Sequence, residues 1–115
     1  MQLPINMAFW LPIEESLYSS WAMEKGGNKS PTEFYDDQKQ QAFVLKGIIE
    51  LYNRPVKNKP GDYMIINSAS KLPVAFLYST QVNLHDYIGH EVSVLVSSRP
   101  NNDFAFPAYF VLSIQ

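Results

Sequence analysis

The stretch Phe43-Val44-Leu45-Lys46-Gly47-Ile48-Ile49-Glu50 decides how the rest of the chain is read. It opens a segment, Ala42 to Asn53, in which Phe43, Leu45, Gly47, Ile49 and Leu51 fall on every second position. Successive side chains leave a strand on opposite sides, so this spacing predicts a strand with one buried face. The segment is long for a straight strand, and Gly47 sits in the middle of its apolar face. An interior glycine there predicts a bulge or a sharp bend.

Working downstream, the turn-forming run Asn53 to Gly61 leads into Tyr63-Met64-Ile65-Ile66. A tight connection at Asn67-Ser68-Ala69-Ser70 then leads into Val74-Ala75-Phe76-Leu77-Tyr78, which predicts two strands joined as a hairpin. Asn83 to Gly89 has an N-cap residue, apolar positions at helical spacing and a glycine stop, so one or two helical turns are expected. Val92, Val94 and Val96 alternate with polar neighbours such as Glu91 and Ser93, and Ala108 to Ile114 forms the last strand. The expectation is a mainly β fold, a five-stranded antiparallel barrel over residues 42–115. Its interior is predicted to hold Phe43, Leu45, Ile49, Ile65, Phe76, Val92, Val94 and Val111.

Working upstream, residues 1–41 carry helical signals and are expected to form a helical extension packing on the barrel. Pro12 suits a first helical turn, Glu14 and Glu15 suit its positive end, and Gly26-Gly27 closes the segment. Ile13, Leu17 and Trp21 then make the docking stripe of a helix over 12–25. Ser30-Pro31-Thr32-Glu33 is a capping box, in which the serine oxygen and the glutamate carboxylate each take an orphan backbone N–H, and it predicts a short helix through Gln41.

The order of three strands, a short helix and two more strands resembles the OB-fold, a five-stranded Greek-key barrel with a helix between its third and fourth strands. The glycine inside the first strand carries part of the resemblance. The run Val82-Asn83-Leu84-His85-Asp86-Tyr87-Ile88-Gly89-His90-Glu91-Val92-Ser93-Val94 carries the rest, being similar to the phrase common where the OB helix enters strand four. SH3-like barrels share this strand content and stay open as an alternative. The segment Asn101 to Leu112 is faintly similar to uncharacterised domains that accompany bacterial SH3-like envelope modules, and this resemblance implies an envelope setting.

Composition narrows the chemistry. With no Cys among 115 residues there is no disulfide framework, thiolate metal site or cysteine nucleophile. Nine Lys+Arg against eleven Asp+Glu give a net charge of −2, which disfavours non-specific phosphate binding. No apolar run reaches the ~18–20 residues of a membrane span, and the first ten residues lack the basic start of a signal peptide. His85 and Asp86 are sequence neighbours whose side chains diverge on a helix, and neither they nor His90 have the spacing of a metal site or a nucleophilic triad. The carboxylate pairs Glu14/Glu15 and Asp36/Asp37 are read as solvated charge near helix starts. A non-catalytic protein without a cofactor is expected.

The candidate binding residues lie on two loops that the OB resemblance places side by side. The loop after the first strand carries Arg54, Lys57 and Lys59 with Pro55 and Pro60, and that between the last two strands carries Arg99, Asn101, Asn102, Phe104 and Phe106. Arg54 and Arg99 would hold guanidinium forks for a carboxylate or phosphate, the two amides would orient it, and the two phenylalanines would add apolar area. The bland alternative is that these are solvated turns with phenylalanines closing the barrel end. The functional expectation is a module for a protein, peptide or glycan partner. Single-stranded nucleic-acid binding, with Tyr63, Phe76 and Tyr78 as stacking rings, and an assembly domain forming a homodimer stand as alternatives.

Overall fold

The computed structural model describes residues 5–115, with side chains from Met7 onward. Two helices, α1 (Ile5–Glu24) and α2 (Pro31–Gln41), precede five strands: β1 (Phe43–Leu51), β2 (Tyr63–Ile66), β3 (Pro73–Tyr78), β4 (Glu91–Arg99) and β5 (Ala108–Ile114). A single 3-10 turn, Leu84–Tyr87, lies between β3 and β4, capped by the Asn83 side chain.

The strands close into a barrel in the order β1-β2-β3-β5-β4, with β4 returning to β1. The sheet is mixed. Phe76, Leu77 and Tyr78 pair parallel to Ala108, Tyr109 and Phe110, whereas every other strand pair is antiparallel. This corrects the all-antiparallel expectation, because β3 and β5 are joined through β4 and so are free to run in the same direction.

Gly47 makes the closure sterically possible. β1 pairs with β4 from Phe43 to Ile48 and with β2 from Ile48 to Leu51, so the strand changes neighbours just past the glycine. A Cβ at Gly47 would sit 2.5 Å from the Ile66 carbonyl oxygen and 2.8 Å from Ile65 Cγ1. No real Cβ tolerates that approach, so the glycine marks a place where two backbones need the room, while the shifts of register fall at Ile65/Ile66 and Leu95/Val96.

Inside the barrel, Ile49, Tyr63, Ile65, Ala75, Leu77, Leu84, Val94, Val96 and Val111 form one closed cluster, with Leu45 and Val92 packed at its margin. Phe43 and Phe76 depart from the expected interior. Phe43 sits at the strand end, 41% exposed, against the edge of Tyr109. Phe76 is buried but points outward, because Ala75 and Leu77 take the inward positions on either side of it.

The outer wall therefore carries apolar side chains of its own. Tyr78, Phe110 and Leu112 form an outer cluster that Trp10 of α1, with Tyr35 of α2, covers. Trp10 stacks on Tyr78 at 4.1 Å and Tyr35 on Phe110 at 5.4 Å. α2 begins at its capping box, where the Glu33 N–H donates to Ser30 Oγ at 3.2 Å.

α1 corrects the sequence reading in extent and in face. Pro12 lies inside the helix and not at its start, and it is on the exposed side, where the unmatched carbonyl of a preceding turn can meet water. With the helix begun by Ile5, the inward stripe is Met7, Trp10, Glu14, Leu17, Tyr18, Trp21 and Ala22, so Leu17 and Trp21 keep their expected side while Ile13 is 40% exposed.

Replacing Gly47 with alanine should cost about 1–3 kcal/mol, the usual range for overpacking, because the displaced atoms are backbone. Urea unfolding of Gly47→Ala measures it, and an unchanged midpoint would show that β1 can bend without the glycine.

Candidate functional site

Two features bear on function: a buried polar network under α1, and an open groove on the barrel wall.

The network centres on Glu14, read from sequence as a solvated helix-start charge but only 2% exposed. The error traces to Pro12: with the helix starting earlier, Glu14 is a mid-helix residue on the docked face. Its carboxylate accepts from Arg99 Nη2 and Tyr35 Oη at Oε1, both 2.9 Å, and from Arg99 Nε at 2.9 Å and Tyr78 Oη at 2.5 Å at Oε2. The guanidinium and the carboxylate are each 3% exposed. Arg99 also donates through Nη1 to Gln38 Oε1 at 2.5 Å and to the Ser98 carbonyl at 2.9 Å. Its cation stands 4.8 Å from the centre of the Phe110 ring.

Proton affinities follow from this packing. Burial alone would lower Arg99, but its hydrogen bonds and charge pairing with Glu14 more than offset that and raise it. Tyr35 and Tyr78 are both pushed well above the ordinary phenol value, first by burial and then by the neighbouring Glu14 charge.

The groove lies beside this network on the same outer face of β3 and β5, two residues along each strand, where Phe76 pairs with Ala108 and Tyr78 with Phe110. Met64 and Phe76 form its floor, backed by Ala108, with Tyr52, Ile66, Phe104 and Phe106 packed against them. Phe76 is the hub: Tyr52, Phe104 and Phe106 meet it edge-on or tilted, with centroids 4.8, 5.6 and 6.4 Å away. The hollow measures about 420 Å³, and its charged lining residues are Glu50 and Arg54. A second cleft of about 470 Å³ runs past Leu11, Tyr18 and Gln81, but its floor is the Glu14 carboxylate, whose acceptor positions are already filled.

Of the candidate residues named from sequence, the groove brings together Arg54, Phe104 and Phe106. Lys57 is exposed on the β1–β2 loop, outside the lining. Lys59 is paired at 3.4 Å with Asp62. Arg99 points away into the Glu14 network, so its guanidinium is spent on the fold and does not face the loop surface as expected. Asn101 and Asn102 hold the loops. The Asn101 amide donates to the carbonyls of Phe104 and Phe106, and the Asn102 amide reaches across to the Asn58 carbonyl at 2.9 Å. Asn58, Asn102 and Asp103 take positive φ, a conformation that Asn and Asp accept more readily than most residues, and this shapes both loop tips.

Met64, Ile66 and Tyr52 were missed. The signal was present, because Tyr63-Met64-Ile65-Ile66 does not alternate; a strand apolar on both faces has a second surface to cover or to use. The proposed stacking ring Tyr63 lies inside the barrel with its hydroxyl 3.2 Å from His85 Nδ1. Among the described residues no group of three His, Cys, Asp or Glu side chains is placed to hold a metal, and no helix is long and apolar enough to cross a membrane. No family model, curated protein or solved structure matches this chain.

Removing the charge in Glu14→Gln strands a buried guanidinium and should destabilise the protein by about 3 kcal/mol in a thermal or urea melt. A loss below about 0.5 kcal/mol, the range of surface changes, would contradict the buried pairing.

Alkaline titration gives an independent check. Both phenols have folded values above their unfolded ones, so the stability they contribute is complete below pH ~10 and falls as pH rises beyond it. Tyr35 and Tyr78 should therefore ionise only together with unfolding, read as phenolate absorbance alongside circular dichroism. Smooth ionisation of both in the folded state would contradict this.

Proposed function

We propose that the chain is a non-catalytic binding module on an OB-like Greek-key barrel, and that it takes an extended apolar segment of a protein partner in the groove between the β1–β2 and β4–β5 loops. One observation carries the reading. The barrel wall has two apolar outer patches; the chain's own helices cover one, and the other stays open around Phe76. A half-covered aromatic hollow with a few charges at its rim is the usual form of a recognition site.

The OB assignment draws support from the strand order, the parallel β3–β5 pair and the 3-10 turn between β3 and β4. OB barrels use the strand face beside these two loops for ligands. A peptide fits the lining better than the alternatives. A glycan needs many polar partners, whereas the charged groups here are Glu50 and Arg54 alone. A nucleic-acid strand needs a cationic track and flat ring faces for stacking, whereas Lys59 is neutralised by Asp62, Arg99 is buried, and Phe76 is met at its edges and faces by other rings. Arg54 would take a carboxylate on the peptide, and Phe104 and Phe106 would clasp an apolar side chain.

A second reading, self-assembly, draws on Phe9 and Met23 of α1, which are 63% and 78% exposed. A dimer in light scattering at micromolar concentration would favour it.

Displayed peptides should be selected on the wild-type protein and re-tested on Arg54→Glu and Phe106→Ala. Each substitution should weaken the selected peptides at least about tenfold, as loss of an anchor does, with the melting temperature nearly unchanged. Peptides indifferent to both substitutions, or tighter binding of an oligothymidylate at physiological salt, would replace this reading.

A further inference from the structure

The face of α1 that packs on the barrel does more than cover apolar surface, because two of its residues, one turn apart, reach the necks of both groove loops. Trp10 Nε1 donates to Asp62 Oδ2 at 2.7 Å. Asp62 closes the β1–β2 loop: its carbonyl accepts the Tyr52 N–H at 2.9 Å, and its other carboxylate oxygen holds Lys59. Tyr52 in turn stands against Phe76 in the groove. Glu14, four residues after Trp10, takes the guanidinium of Arg99 in a two-pronged pair. Arg99 pairs with Ala108 as the last rung before the β4–β5 loop, and Ala108 packs in one cluster with Phe76 and Met64, which line the groove. Tyr78 joins the two contacts, stacking on Trp10 and donating to Glu14. The loop tips meet through Asn102 and Asn58.

Neither Trp10 nor Glu14 lines the groove. Their partners are the residues whose backbone sets where each wall begins.

We propose that α1 is the positioning element of the groove, with Trp10 and Glu14 fixing the separation of the two loops, so that anything loosening the docked face of α1 lowers affinity for the groove ligand. This rests on the groove being the binding site. The coupling needs no contact between helix and ligand, because each loop is tied to the helix at one end and lines the groove at the other. Trp10 and Glu14 are positioning residues in this scheme.

Trp10→Phe removes the indole N–H while keeping an aromatic ring over Tyr78, and the core amides report any effect of the smaller ring on packing. Hydrogen exchange reads the tie without any ligand. Loss of a hydrogen bond to a carboxylate should speed exchange of the Tyr52 amide by about tenfold or more, while the core amides of Val94 and Val111 keep their rates. Asp62→Asn, which retains an acceptor oxygen for Trp10, should keep the Tyr52 rate within about threefold of wild type. Unchanged Tyr52 exchange in Trp10→Phe would overturn the proposal, as would equal acceleration at Val94 and Val111, which would make Trp10 a general stabiliser.

Binding is read with 8-anilinonaphthalene-1-sulfonate, whose rings and anion match the aromatic hollow and Arg54. Its affinity should fall in Arg54→Ala and, by about threefold or more, in Trp10→Phe. Loss in Arg54→Ala with full retention in Trp10→Phe rejects the positioning role alone. Retention in both rejects the groove as the binding site, and the positioning role with it.

Discussion

A carboxylate and a guanidinium withdrawn from water together set the terms for everything packed around them. Ion pairs of this kind gain little net stability by forming, since the cost of desolvating both charges is comparable with their attraction. Their strength is in what they forbid. With Glu14 and Arg99 each almost wholly buried, any arrangement that separates α1 from the start of the β4–β5 loop leaves a bare charge in an apolar setting. Tyr35, Tyr78 and Gln38 complete the shell, and they come from α2, β3 and α2 again. One ion pair thus gives both helices and the barrel a single permitted register.

The barrel depends on a different kind of constraint. β1 serves two partners in succession, and the site of the change must let the Ile65–Ile66 backbone come within a distance that no side chain permits. Closure leaves no exposed sheet edge, which suits a small β domain whose strands are rich in Val, Ile and Phe. It also sorts side chains into inner and outer sets. Apart from Tyr63, the inner set is filled by alanine and medium-sized aliphatic residues, and the large rings of Phe76, Tyr78 and Phe110 are sent outward. The outward rings then need company, which the helices supply on one side and the β4–β5 loop supplies only in part on the other.

The strands, the capping box, the short turn at Leu84 and the need for a glycine at position 47 were legible because each rests on local chemistry: alternation, a capping oxygen, a missing Cβ. What was not legible depends on partners distant in sequence. Arg99 has the composition of a loop cation beside Pro100, and only the burial of Glu14 across the fold reveals its use. Glu14 was misread for a local reason as well, since a proline that starts helices can also sit on the wet side of one already begun. The groove falls between these cases. Phe104, Phe106 and Arg54 stood out as loop residues, while Phe76 was counted as barrel interior and Met64 only as part of a strand, and deciding which way a strand residue faces takes the pairing of its neighbours.

The separation of Glu14 and Arg99 along the chain has a bearing on how the protein is made. They stand 85 positions apart. At the ~5–20 residues per second of ribosomal synthesis, α1 waits roughly 4–17 s before its counter-charge leaves the tunnel. Through that interval Trp10 and Met7 have no barrel to pack on, and Phe9 and Leu11 stay exposed even after docking. A helix made before the barrel is thus among the last elements that can be satisfied. Its solubility in the cell depends on how quickly the five strands close behind it.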